Sequence, residues 1–419
     1  MLNVSDALKQ IIETVAPTKP SMLPLSDSLG CLLAEDVISD EDSPPFDKSM
    51  MDGYAVCASD LQLNESSSRD IELTIIGELT AGQQSELKVE SGTTVRIMTG
   101  APIPNGADAV IPVEQSKLLS EVKVSLHIER IIPQGTNILD CGKNVRQGEQ
   151  VLSSGQRIRP QEIALLAELG RASIPVRQPP TVAILATGDE LVEINETPGP
   201  GQIRNSNATM LAAQVAATGA TPIVLPIAKD QREDLRAKIE GGLQCDFLCL
   251  SGGVSMGKLD LVPSELAAAG VQQIFHKVAM KPGKPIWFGK RSSSESQSSC
   301  YVFGLPGNPI SSMICFELFV KTALRKFQGE ENPFPPLIEA TLQKDFSQRG
   351  DREVWFPSYA EIENGKVVVT PTGWKGSSDI RSTAQANCSA SFPAGERIFT
   401  AGESVQVLVW SGSRLNPKL

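Results

Sequence analysis

Histidine is almost missing from this chain: His127 and His276 are the only two in 419 residues. A histidine-based triad or zinc centre is therefore not expected, and any chemistry must run on carboxylates, hydroxyls, lysines and backbone amides. The eight cysteines are scattered without a C-x-x-C pair. Cys245 and Cys249, four apart, fall in a strand-like segment and would not stack as helical neighbours. Reduced thiols in a cytoplasmic protein are the expectation. No apolar run reaches the roughly 18 residues that a membrane helix needs. The N-terminal residues Met1-Leu2-Asn3-Val4-Ser5-Asp6 show neither a basic n-region nor an apolar h-region, so no secretory signal is expected. Positive charge is outnumbered, 38 Lys and Arg against 49 Asp and Glu, for a net −11. That balance argues against a general nucleic-acid or acidic-membrane surface, though not against a small basic pocket for an anion. What is present is ordinary: 41% apolar and 21% charged residues in a length that favours several domains.

Along the chain, Ser5 is placed to cap a first helix with Leu8, Ile11, Ile12 and Val15 on one face, ended by Pro17. Pro44-Pro45 marks a change of direction. Strand-like runs at 71–74, 94–98, 109–112 and 122–128, separated by Gly, Pro and Asn turns, predict a β-rich insertion. Arg159-Pro160 opens a helix over 161–169, expected to pack with the first helix and make that domain discontinuous. From Thr181, strands alternate with helices, which predicts a mostly parallel sheet covered on both faces. The serine-rich 292–299 reads as an exposed loop, and 332–336 as a linker. Short β-like runs beyond it predict a compact C-terminal β-barrel. The fold class is thus α/β multidomain: a small helical, discontinuous N-terminal domain (1–43 plus 151–178), a β-rich inserted domain (44–150), a three-layer α/β domain (179–329) and a C-terminal β-barrel (337–419).

The stretch 249–260, Cys-Leu-Ser-Gly-Gly-Val-Ser-Met-Gly-Lys-Leu-Asp, follows an apolar strand. Ser251-Gly252-Gly253 lets the backbone turn sharply and approach a ligand, because glycine has no Cβ. The amides at such a turn, with the Ser251 and Ser255 hydroxyls, suit an anion. Asp260 offers a carboxylate for a hard cation. The plain alternative is a glycine turn that only rounds a corner. Lys281-Pro282-Gly283-Lys284-Pro285 and Gly304-Leu305-Pro306-Gly307-Asn308-Pro309 flank other strand-like runs. Three such turns on successive strands imply one shared edge, where open α/β sheets bind ligands.

These motifs, with Ser49-Met50-Met51-Asp52-Gly53-Tyr54-Ala55, Arg96-Ile97-Met98-Thr99-Gly100-Ala101-Pro102 and Thr187-Gly188-Asp189-Glu190-Leu191, resemble the signatures of the MoeA family. These are molybdopterin molybdenumtransferases, related to the E-domains of the plant molybdenum insertase and of gephyrin. The match runs in the family's order over essentially the whole chain. The resemblance implies a four-domain homodimer in which the α/β domain binds molybdopterin. It implies that molybdate is inserted into adenylylated molybdopterin with release of AMP and with Mg²⁺. A transient contact with the pathway's molybdopterin adenylyltransferase follows from the same resemblance; nucleic acid and membrane are not expected partners.

Residue by residue, the resemblance implies catalytic roles for Asp52, Thr99, Glu190, Asp230 and Asp260, and metal contact for Asp189, Glu190 and Asp260. Hard Mg²⁺ prefers such oxygen ligands. Substrate contact falls to Ser251, Gly252, Gly253, Ser255, Lys281, Gly283, Lys284, Pro306, Gly307, Asn308, Pro309 and Ser382. Lysines on a stiff turn suit an oxyanion, although most lysines are simply solvated. Asn308 and Pro309 also fit plain helix-entry roles, as Asp230 fits a helix cap and Thr99 its own turn. The resemblance further implies that Asp52 and Thr99 reach the cleft of the other subunit. Arg352 and Ser382 loosely match residues that relatives offer to molybdate. Gln150 stands where the family often has Asp, which puts that position's role in doubt. Three alternatives stay open here: a molybdopterin adenylyltransferase, whose Ser-Gly-Gly-Thr-Gly differs from Ser251-Gly252-Gly253-Val254-Ser255; a non-catalytic scaffold; and a paralogue that binds without turnover.

Overall fold

A computed structural model of the chain describes residues 1–62, 68–84, 86–253, 261–292 and 299–417. It divides into two compact units. The first comprises residues 1–34, 155–159 and 173–419; the second comprises residues 35–154 and 160–172.

The centre of the first unit is a six-stranded sheet in the order Thr221–Val224, Thr181–Ala186, Phe247–Ser251, Cys300–Leu305, Trp287–Arg291, Gln272–His276. The first four strands are parallel. Trp287–Arg291 runs against Cys300–Leu305, and Gln272–His276 runs against Trp287–Arg291. Strand side chains alternate between faces, so a strand covered on both sides must be apolar throughout. Thr181–Ala186 shows this directly. Val182, Ile184 and Ala186 join one buried cluster with Leu211 and Val215 of helix Ser206–Ala217 and with Ile310 and Ile314 of helix Pro309–Cys315. Ala183 and Leu185 join the opposite cluster with Leu235 and Ile239 of helix Arg232–Gly242 and Leu266 of helix Val262–Ala268.

The first helix, Val4–Thr14, is capped by Asn3, whose Oδ1 accepts from the Asp6 amide at 2.7 Å. The Ser5 cap expected from sequence is therefore replaced by a residue two earlier, because Ser5 already lies inside the helix. Val4, Leu8, Ile11 and Val15 pack into the cluster that holds Phe319, Val320 and Leu324. The helix over 161–169, expected as its packing partner, is Pro160–Glu168 and belongs to the second unit. The helix that enters at Pro309 is continuous through Gln328, but Phe316–Val320 widens into a π-turn between Pro309–Cys315 and Lys321–Gln328, and Gly329 at φ 87° ends it. Such turns recur at functional sites.

After the linker, Glu353–Glu363, Lys366–Pro371, Leu337–Leu342, Ser404–Val409 and Cys388–Phe392 pair in a ring, the last strand returning to the first. This is the closed β-barrel read from the short runs of the C-terminal sequence, filled by Val369, Phe392, Phe399 and Val407.

The second unit is β-rich. Its six-stranded sheet runs Ala109–Pro112, Gly53–Val56, Thr93–Ile97, Arg69–Leu79, Lys123–Ile128, Ser116–Ser120, with buried clusters around Leu126 and around Val95. Gly53 is required there: a Cβ would stand 2.0 Å from the Ile111 carbonyl oxygen.

Candidate active site

Three parallel strands end side by side: Thr181–Ala186, Phe247–Ser251 and Cys300–Leu305. Their continuations are Thr187-Gly188-Asp189-Glu190, Gly252-Gly253 and Pro306-Gly307-Asn308. The fourth turn, Lys281–Pro285, reaches the same edge because the strand it leads into is reversed: Trp287 pairs with Gly304, near the end of its neighbour.

Gly252 and Gly253 take φ of 98° and 63°, a region costly for any other residue. Space demands glycine as well. A Cβ on Gly252 would lie 2.8 Å from the Thr187 carbonyl oxygen, and one on Gly253 2.6 Å from Val262 Cγ2. The Gly252 amide donates to the Leu305 carbonyl at 3.2 Å, so it closes the turn. Among the described residues, the amides of Gly253, Gly307 and Asn308 donate to no backbone carbonyl. Asn308 stands at the N-cap of Pro309–Cys315, with Pro309 first in the helix, and its side chain makes no cap bond.

Two adjoining cavities open over these turns. One of about 320 Å³ is lined by Thr187, Glu190, Asn207, Ser251, Gly307 and Ser378, among others. The second, of about 540 Å³, shares Thr187, Glu190, Gly252 and Gly307 and adds Asp230, Gly253, Pro285 and Pro306. The carboxylates Glu190 and Asp230 and the backbone cradle thus face one space. Asp189 sits beside them and accepts from the Asp230 amide at 3.2 Å. Carboxylate oxygens are hard donors of the kind Mg²⁺ prefers. No group of three metal-holding side chains meets among the described residues. Asp260 and Ser255 lie outside them.

Lys281 and Lys284 are exposed, and Gly283 between them is buried at φ 107°. Met280–Lys281 pairs in parallel with the barrel strand Glu353–Glu363, and Arg352 Nη1 donates to the Met280 carbonyl at 3.3 Å. That places Arg352 beside the lysine turn. Ser382 uses its hydroxyl on the Asp379 carbonyl at 2.8 Å; Ser378 is the serine of this segment that lines the cavity.

In the second unit, Asp52 and Thr99 meet. They sit at one end of neighbouring antiparallel strands, where Gly53 pairs with Ile97. Two hydrogen bonds from Thr99 hold the Asp52 carboxyl below the usual carboxylate range.

Two residues at the cradle were given no site role by the sequence reading, Asn207 and the motif residue Thr187. Asn207 Nδ2 donates to Ser251 Oγ at 2.8 Å and to the Gly307 carbonyl at 2.7 Å, tying two of the turns together. Thr187 is buried under Gly252. Asn207, one residue into helix Ser206–Ala217, reads in sequence as helix-entry polarity, and only the alignment of three strand ends gives it a second meaning.

The description "MoeA N-terminal region (domain I and II)" matches residues 2–170, "Probable molybdopterin binding domain" residues 183–326, and "MoeA C-terminal region (domain IV)" residues 339–410. The chain belongs to the MoeA family. A molybdopterin molybdenumtransferase of Bacillus subtilis (strain 168) is 36% identical over 408 residues, covering 97% of this chain and 93% of the relative. One from Staphylococcus aureus (strain Mu50) is 35% identical over 410 residues, covering 97% and 95%. The crystal structure of the molybdopterin biosynthesis moeA protein from Pyrococcus horikoshii OT3 superposes with a TM-score of 0.80 at 31% identity, covering 98% of this chain and all of that one. The cradle therefore lies within the part of the MoeA chain described as a probable molybdopterin-binding domain.

Proposed function

We propose that this MoeA-family chain is a molybdopterin molybdenumtransferase. It inserts molybdate into adenylylated molybdopterin, cleaves the phosphoanhydride to AMP and yields the molybdenum cofactor. The observation that carries this reading is the meeting of the Gly253, Gly307 and Asn308 amides, which among the described residues donate to no backbone carbonyl, with the carboxylates of Glu190 and Asp230 around one space.

The substrates are anions, and each part of the site has a task. The amides and the Ser251 hydroxyl hold phosphate oxygens. The Lys281 and Lys284 ammonium groups, with Arg352 nearby, hold molybdate as point charges. Asp189 and Glu190, with Asp260 outside the described residues, are the carboxylates this reading gives to Mg²⁺, which would neutralise phosphate charge when bound. In this reading the protein acts in the cytoplasm as a homodimer, with Asp52 and Thr99 supplied by the partner copy. The four-domain division of the chain and a transient contact with the adenylyltransferase belong to the same proposal. An adenylyltransferase reading fits less well, because matches to MoeA N-terminal and C-terminal regions flank the α/β domain.

The test uses the purified full chain with adenylylated molybdopterin, Mg²⁺ and molybdate, and follows AMP and active cofactor. Molybdate-dependent AMP release, reduced in Asp230→Asn and Lys284→Ala, is the expected result. Binding without AMP release would reduce the chain to a carrier. Turnover indifferent to both substitutions would move the chemistry elsewhere.

A further inference from the structure

Between barrel strands Lys366–Pro371 and Cys388–Phe392 the chain leaves the barrel and crosses to the cradle. Both ends of the crossing are anchored. The Trp374 ring meets Phe356 edge to face at 5.0 Å. Buried Asn387 donates to the Ala360 and Arg414 carbonyls at 2.7 and 3.2 Å and accepts from the Ala360 amide at 2.7 Å. The residues between, 375–386, are held far less. Only Ser382 among them is buried, and Ile380 is 44% exposed. Among the described residues, one hydrogen bond ties 375–386 to the rest of the chain: the Ile310 amide donates to the Ser377 carbonyl at 3.1 Å. The segment nonetheless keeps a shape of its own. The Asp379 carboxylate accepts from the Ser382 amide at 3.3 Å and from the Lys375 amide at 3.2 Å. The Asp379 amide donates to the Gly376 carbonyl at 2.9 Å, and the Ser382 hydroxyl donates to the Asp379 carbonyl at 2.8 Å.

There is room for this stapled body to move. Ser378 and Ile380 line the 320 Å³ cavity over the cradle. Ile380, with Thr383, Ala384 and Ala386, also lines a separate cavity of about 620 Å³, whose other wall includes Met210 and Met313. A partition with open space on both faces lacks the close contacts that fix a packed element in place. Few buried side chains and a single tie mark a segment of low local stability, the class from which active-site lids are drawn. We infer that 375–386 is a lid of the site. It swings as one unit between the two cavities when the Ile310–Ser377 bond breaks, and it closes over a ligand in the cradle with Ile380 at its leading edge. Asp379 is a positioning residue that holds the lid's shape and touches no substrate. This rests on the reading of the cradle as the site for adenylylated molybdopterin. Closure shields the cleaved phosphoanhydride from solvent and delays the departure of AMP.

The experiment follows amide hydrogen exchange at single-residue resolution on the full chain, alone and with AMP plus molybdate, with AMP binding verified by equilibrium dialysis. The Ile310 amide reports the latch. The Ser312 amide, which donates to the Asn308 carbonyl at 3.0 Å in the same helix entry, is the internal reference. In the free chain Ile310 should exchange about tenfold or more faster than Ser312 after correction for intrinsic rates, and bound AMP should slow it by a similar factor. Equal protection of the two amides in the free chain, or no slowing of Ile310 while AMP is bound, would make 375–386 a fixed wall and overturn the inference. A second measurement uses the fluorescent methylanthraniloyl ester of AMP, displaced by unlabelled AMP. Asp379→Ala should release it about fivefold or more faster, and Asp379→Asn, which keeps an acceptor for the Ser382 amide, should restore most of the delay. Release unchanged in Asp379→Ala would remove Asp379 from its positioning role. If the chain binds neither adenylylated molybdopterin nor AMP, the reading of the cradle itself fails and the lid falls with it, whatever the exchange of Ile310.

Discussion

Asp52 accepts two hydrogen bonds from Thr99 through one carboxylate oxygen: the Thr99 amide and the Thr99 hydroxyl each lie 2.7 Å from Asp52 Oδ1. The amide bond contributes most to holding the carboxyl down, the hydroxyl next. A carboxyl whose pKa is lowered on folding favours the fold above its ordinary range. That contribution is lost as pH falls through the lowered value. Thr99→Ala should therefore move the Asp52 pKa up toward the ordinary carboxylate value without abolishing the shift, since the amide bond survives. Carboxyl-carbon NMR titration of both proteins checks this, and an unchanged Asp52 titration would contradict it.

Gly252→Ala should destabilise the chain by about 2 kcal/mol and abolish pterin binding, since the new Cβ meets backbone and the φ of 98° is strained. Gly412→Ala is the comparison. It has a similar positive φ of 78° but open space around it. It should share the strain and spare the binding. Urea unfolding and fluorescence titration separate the two.

Glu317 is the strongest candidate for a stability defect outside the site. It is 1% exposed within the π-turn, and it accepts from Gln214 Nε2 at 2.9 Å, Lys321 Nζ at 3.2 Å and the Ser411 amide and hydroxyl at 3.1 and 3.0 Å. Glu317→Ala strands four donors and should cost about 3–5 kcal/mol. Glu317→Gln retains the shape and some of the bonds and should cost less. Denaturant midpoints decide it.

Thiol chemistry should divide the eight free cysteines by burial. Cys141 is exposed, Cys57 and Cys245 half-buried, and Cys31, Cys249, Cys300, Cys315 and Cys388 buried. Burial pushes the Cys249 and Cys388 thiols up to about 12, so they carry almost no thiolate at neutral pH. A disulfide reagent should modify Cys141 fastest in the native protein and reach the buried five only after unfolding. Peptide mapping of the modified sites is the readout.

The chemistry-bearing turns were legible in the sequence because their demands are local. Ser251-Gly252-Gly253 needs positive φ, and Pro306-Gly307-Asn308-Pro309 needs a helix entry; both announce themselves in a few residues. The barrel was legible from short alternating runs. What stayed hidden depends on distant partners. Asn207 is 44 residues from Ser251 and 100 from Gly307. Nothing near it in sequence marks it. The Asn3 cap was missed for the opposite reason: Ser5 and Asn3 are both good caps, and only the buried position of Val4 sets where the helix begins. Ser378 lines the cavity four residues before Ser382, a placement that residue type alone does not give.

The reversed hairpin of the central sheet carries a consequence for chain engineering. Its strands Trp287–Arg291 and Cys300–Leu305 are joined at the end where Arg291 pairs with Cys300, while Trp287 and Gly304 meet at the ligand edge. The hairpin's length insulates the cradle from whatever joins Arg291 to Cys300. New termini or an inserted reporter domain introduced between those two residues would attach at the far end of the sheet, so a tagged or permuted chain keeps its lysine turn beside the strand ends.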